Sequence, residues 1–250
     1  INLVFLGDGF DAENISNGDY LRVMNEQMER FFDIEPYRTY RDYFNVSTAI
    51  AVSQESGIGT VNTIRRTKFE TTFAGGVGLR GDYSAIFDYA MKVSSVDESN
   101  LNQSLIIVTP NTIDYGGITE MWEDGSAIAF CPLSEDTYPY DARGIIQHEA
   151  GGHGFGKLGD EYIYHNGFIE FCCPLDFATL NYGKSLGWYE NLSLTGKMHE
   201  VPWSHLIFDD RYSDVVDIYE GGFKHARGVF RSEQNSCICL LYTSDAADEL

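Results

Sequence analysis

The stretch that most constrains this chain is His148-Glu149-Ala150-Gly151-Gly152-His153-Gly154-Phe155-Gly156-Lys157-Leu158-Gly159-Asp160-Glu161-Tyr162. Asp141 is a plausible N-cap for a helix carrying Ile145, Ile146 and His148. The two histidines of the stretch are five residues apart. On a regular α-helix that spacing puts them about 140° apart around the axis, against about 40° for residues four apart. They can face one point only if the helix absorbs an extra residue, as a π-type bulge does. Gly151 and Gly152 stand where such a bulge would form. Together with Gly144 and Gly154 they cost a helix on the order of 3–4 kcal/mol relative to alanine. A helix with a purely structural task rarely carries that load.

Two imidazoles on one helix, with a carboxylate directly after the first, form the core of a metallopeptidase zinc site. The imidazoles offer neutral nitrogens to zinc, and Glu149 is the candidate general base, facing the open position where water sits. The bland alternative is two incidental histidines. Zinc needs a third protein ligand, and Asp160 is the favoured candidate, because it follows Gly156, where the chain can leave the helix and turn back. Glu161, His165, His205 and His225 compete for that role, and Asp160 could instead be a turn carboxylate capping a nearby amide.

Composition narrows the setting. With 43% hydrophobic and 14% aromatic residues, 250 residues suffice for one sizeable core, or one core plus a small appendage. A net charge of −21 with only 17 scattered basic residues argues against a nucleic-acid partner. No apolar run approaches the roughly 20 residues of a membrane span. The five cysteines (Cys131, Cys172, Cys173, Cys237 and Cys239) show no C-x-x-C spacing, which disfavours a zinc ribbon. Cys172 and Cys173 could join separate disulfides in an exported protein.

Strand-like runs at residues 1–6, 44–52 and 104–109 alternate with helical patterns at 20–32 and 81–93, so the first 155 residues read as an α/β domain with a mixed sheet. Residues 156–188 read as loop-rich and aromatic; 206–207 and 215–219 are the last regular pieces. Gly7-Asp8-Gly9 lacks the Lys and Ser/Thr of a phosphate loop and is taken as a tight turn, and Gly75-Gly76-Val77-Gly78 is no dinucleotide fingerprint. Arg80-Gly81-Asp82 is taken as a chance tripeptide. No G-x-S-x-G elbow anchors serine chemistry. Tyr115-Gly116-Gly117, just after a strand, could form an edge that pairs with an extended peptide, or an ordinary loop.

These residues resemble the IgA peptidases, a family of bacterial zinc metallopeptidases. The resemblance spans most of the chain: Leu6-Gly7-Asp8-Gly9-Phe10, Phe44-Asn45-Val46, Tyr115-Gly116-Gly117, residues 148–162, Pro202-Trp203, Glu220-Gly221-Gly222, and Gly228-Val229-Phe230-Arg231 leading to Asn235-Ser236-Cys237. It implies an exported endopeptidase, secreted or at the cell surface or periplasmic, with a metzincin-like fold, a twisted mixed sheet and a central active-site helix. Its substrate would be an extended polypeptide, whether immunoglobulin or another host or dietary protein. In that reading His148, His153 and Asp160 bind Zn2+ and Glu149 is catalytic, while Tyr115, Gly116, Gly117, Glu220, Gly221 and Gly222 are candidate substrate contacts. Two rival readings stay open: a dipeptide-releasing zinc exopeptidase, and a non-catalytic adhesin or glycan-binding module on a peptidase scaffold.

The resemblance also bears on the ends of the sequence. Residues 1–238 read as one catalytic domain, a fragment of a longer protein. Residues 239–250 match the translation of a common transposase sequencing adapter, and Ile238 stands where the resembling family continues with Met. The tail is therefore expected to be foreign to the protein.

Overall fold

The computed structural model describes residues 1–163 and 171–238. His165 and residues 239–250 lie outside the described residues. Two compact units are present, Ile1–Phe155 and Gly156–Leu250.

The first unit is built on a five-stranded mixed sheet. Strand β1 (Asn2–Asp8) leads through α1 (Ala12–Ser16) and α2 (Asp19–Phe31) to β2 (Asn45–Thr48). A short hairpin, β3 (Thr72–Phe73) and β4 (Leu79–Arg80), precedes α3 (Tyr83–Ala90) and β5 (Ser104–Pro110). Then come β6 (Ile118–Met121), β7 (Ala127–Phe130) and α4 (Ala142–Ile146), which runs directly into a π-helix over Gln147–Phe155. The sheet order is β2-β1-β5-β7-β6. The first four strands are parallel to their neighbours, and β6 is antiparallel to β7 at the edge.

Burial on both faces explains why β1 and β5 look like continuous apolar runs. Leu3, Phe5, Leu105 and Ile107 pack with Tyr20, Val23, Met24 and Phe31 of α2 and with Ile145 and Ile146 of α4. Their alternates Val4, Leu6, Ile106 and Val108 pack with Ile86 and Ala90 of α3 and with Phe69. The buried face of α2 is made by Tyr20, Val23, Met24, Gln27 and Phe31, while Leu21 is 47% exposed.

The second unit carries α5 (Pro174–Ser185), β8 (Leu192–Ser193), α6 (Ser204–Ile207), β9 (Tyr219–Gly222) and β10 (His225–Arg231). Its strands form an antiparallel sheet in the order β8-β10-β9, over Leu180, Leu192 and Val229. The loop-rich reading of 156–188 missed α5. That helix buries only Leu180 and Gly183, so it has no apolar stripe to betray it, although Pro174 opens it at its first turn. Residues 220–222 belong to strand β9, beyond the last regular piece expected at 215–219. Cys172 and Cys173 are thiols, and Cys173 Sγ lies 3.3 Å from Asp176 Oδ2. Among the described residues no helix is long and apolar enough to cross a membrane.

Candidate metal centre

A shared facing of His148 and His153 called for an irregular helix, and the chain forms a π-helix over the whole of Gln147–Phe155, beyond the local bulge expected at Gly151 and Gly152. With hydrogen bonds running from i to i+5, residues five apart stack on one face as residues four apart do on an α-helix. His148 and His153 therefore face each other, with Nε2 atoms 3.0 Å apart and rings at 89°. Two nitrogens on a tetrahedral zinc, each at 2.0–2.1 Å, stand about 3.3 Å apart. The pair is thus close to zinc spacing.

The glycines of this helix make room for neighbours. A Cβ on Gly151 would sit 3.0 Å from Cε2 of Tyr37, whose hydroxyl donates to the Gly151 carbonyl at 2.6 Å. A Cβ on Gly154 would lie 2.6 Å from Cδ1 of Leu105, at the centre of the sheet. The helix is pressed onto β5 on one side and pinned by Tyr37 on another.

One ligand atom from each of His148, His153 and Asp160 lies within 4.8 Å of the others. All three belong to one short run of chain, so the convergence follows from the local path of the backbone. His148 is buried, and His153 and Asp160 are half-buried. Two imidazoles and a carboxylate suit zinc, which takes three protein ligands at catalytic sites and leaves a position open. Among the described residues, the other candidates for third ligand are engaged or placed elsewhere. Glu161 accepts from Asn191 and Ser236, His225 sits with Nε2 2.9 Å from Asp176 Oδ2, and His205 lies on α6.

Glu149 is 8% exposed, and its carboxylate is held in place by the edge of the sheet. The Thr119 hydroxyl on β6 lies 2.9 Å from Glu149 Oε2 and 2.8 Å from the Glu149 carbonyl oxygen. Gly117 supplies the space on the other side, since a Cβ there would meet Oε1 at 2.8 Å and Cγ at 2.9 Å. No hydrogen bond to Oε1 occurs among the described residues. Burial first, and the Glu149 charge second, push the nearby Cys131 thiol well above its usual range, so Cys131 stays protonated in the core. Burial and then the Asp160 carboxylate raise the Tyr189 hydroxyl.

The candidate substrate contacts fall at two places. Gly116 and Gly117 lead into edge strand β6, with the Gly117 amide donating to the Val77 carbonyl at 3.1 Å. Tyr115 packs edge-on against Tyr140. Glu220, Gly221 and Gly222 belong to β9, where Arg231 Nη1 donates to the Gly221 carbonyl at 2.7 Å. Thr119 escaped the sequence reading, as did Asn191. Neither carries a local signal, because each meets the site through strand pairing or a distant turn.

Two helix-borne imidazoles and the Asp160 carboxylate come together as three potential metal donors, with the Glu149 carboxylate held by Thr119. The profile of the IgA Peptidase M64 family matches residues 1–176, and the chain belongs to that family. It is a peptidase, on a mixed α/β fold. A search of curated proteins gives no match.

Proposed function

We propose that the chain is a zinc-dependent endopeptidase, on a metzincin-like fold, that hydrolyses peptide bonds of extracellular proteins. The observation that carries the reading is the convergence of His148, His153 and Asp160 within 4.8 Å. Bound there, zinc would supply a Lewis acid that polarises the scissile carbonyl and acidifies a water.

The chain's own residues do the rest. Glu149 takes the proton of the attacking water at Oε1, the oxygen without a hydrogen-bond partner among the described residues, while Thr119 holds Oε2. Gly117 keeps the carboxylate's approach open. The edge of β6 offers backbone groups to an extended polypeptide, which suits a substrate bound as an added strand. Tyr115, Gly116 and Gly117 begin that edge, and Glu220–Gly222 is the second candidate contact.

Incubation of the chain with an unfolded protein tests the reading, with products sized by mass. Internal cuts that stop with a chelator and return with added zinc are expected. Cutting that ignores the chelator sinks the metal reading, and release of dipeptides alone points to an exopeptidase.

Thr119→Val is expected to lower kcat about 10–100-fold, the usual effect of removing an outer partner of a metal-site group. Thr119→Ser should restore most of it, because the hydroxyl is what matters. Equal turnover in the valine and parent proteins would remove Thr119 from the mechanism.

A further inference from the structure

Asp160 differs from the two histidines in that no helix fixes it. Its neighbours show what does. The Asn191 side chain pairs with both peptide groups of Gly159, accepting from its N–H at 2.8 Å and donating to its carbonyl at 2.8 Å. The same amide nitrogen donates to Glu161 Oε1 at 2.9 Å. Both N–H bonds of the amide are therefore used, and it grips the residues on either side of Asp160. On the backbone, the Asp160 carbonyl accepts from Phe223 N at 2.7 Å, and the Tyr162 carbonyl from Lys224 N at 3.0 Å.

The grip is itself anchored. Glu161 is 3% exposed and has no part in the proposed chemistry. Its Oε2 accepts from the Ser236 hydroxyl at 2.6 Å, and its amide lies 3.4 Å from the Ile238 carbonyl. A Cβ on Gly159 would meet Leu192 Cδ1 at 2.6 Å, so only glycine lets the turn lie against the segment that carries Asn191. Leu192 in turn is fully buried in the core of its unit.

We infer that Asn191, backed by Glu161 and Ser236, is the positioning residue for the third metal ligand, Asp160. This rests on the zinc reading above. Asn191 touches neither metal nor substrate. It acts by holding the Gly159–Glu161 backbone so that the Asp160 carboxylate is presented at the right place before zinc arrives. An exposed turn without such a clamp would have to be ordered on binding, at the expense of affinity.

The test is zinc affinity, measured on the full chain by competition with a chromophoric chelator, alongside the thermal midpoint of the metal-free protein. Asn191→Ala is expected to weaken zinc binding about 10–100-fold, the range seen when outer partners of metal ligands are removed. Asn191→Asp retains the acceptor for Gly159 but loses both donors and faces Glu161 with a second carboxylate, so it should bind as weakly or worse. Ser236→Ala, which removes only the far anchor, should weaken binding less while leaving the fold intact, and it decides the matter if the Asn191 variants do not fold. Parent-like zinc affinity in the folded Asn191 variants, or in Ser236→Ala where those do not fold, overturns the inference alone, and a lowered metal-free midpoint with unchanged affinity does the same. A parent chain that takes up no zinc overturns the metal reading and this inference with it.

Discussion

Glu149→Gln is expected to keep zinc at the parent's affinity while kcat falls about 10²–10⁴-fold, the usual size of a general-base contribution. The two halves of that outcome come from different features. On the zinc reading proposed above, affinity resides in His148, His153 and Asp160, whose donor atoms converge without Glu149. In the same reading, turnover depends on a carboxylate at the site that can accept a proton, and glutamine cannot. The shape is nearly conserved, so the Thr119 hydroxyl still has an oxygen or a nitrogen to meet at 149. Equilibrium dialysis with zinc gives the first half and hydrolysis of an unfolded protein gives the second. Loss of metal from the variant would make Glu149 a ligand and overturn the assignment of roles.

How much of this was legible in the sequence depended on whether the signal was local. The π-helix was, because a five-residue histidine spacing and four glycines cannot be reconciled with a regular helix that also binds metal. The grouping of Asp160 with the two histidines was legible in a carboxylate after a glycine turn, although Glu161 beside it was an equal candidate by residue type. What separates the two is Asn191 and Ser236, which hold Glu161 from 30 and 75 residues away. Thr119 was hidden for the same reason: it reaches Glu149 only because β6 closes the edge of the sheet. Strand β10 was missed because Gly228 takes φ 83° and the register shifts between His225 and Phe230, which breaks the alternation a strand is recognised by. In contrast, β1 and β5 stood out because apolar side chains fill both faces of the central sheet.

Gly144→Ala is the second large effect, and here helix propensity gives the wrong sign. In an open helix the change would stabilise by about 1 kcal/mol. In α4 a Cβ at 144 would stand 1.8 Å from the Pro139 carbonyl oxygen and 2.5 Å from its carbonyl carbon. Both are backbone atoms, so no rotamer change relieves the clash. The segment from Pro139 to Asp141 would have to move, and it carries the cap: Asp141 Oδ1 accepts from the Gly144 amide at 2.8 Å. Overpacking of this kind typically costs about 1–3 kcal/mol and sometimes more, and loss of the cap adds about 1 kcal/mol. With the propensity gain offsetting the lost cap, a net destabilisation of about 1–3 kcal/mol lowers the thermal midpoint of a chain this size by roughly 2–12 °C. Because α4 continues without a break into the π-helix at Gln147, the histidine pair should be disturbed too, and zinc affinity should fall along with the midpoint. Differential scanning calorimetry of the metal-free protein and the chelator competition together read both effects. A midpoint raised by Gly144→Ala would mean that Pro139 does not lie against the helix, and that this glycine is there for some other reason.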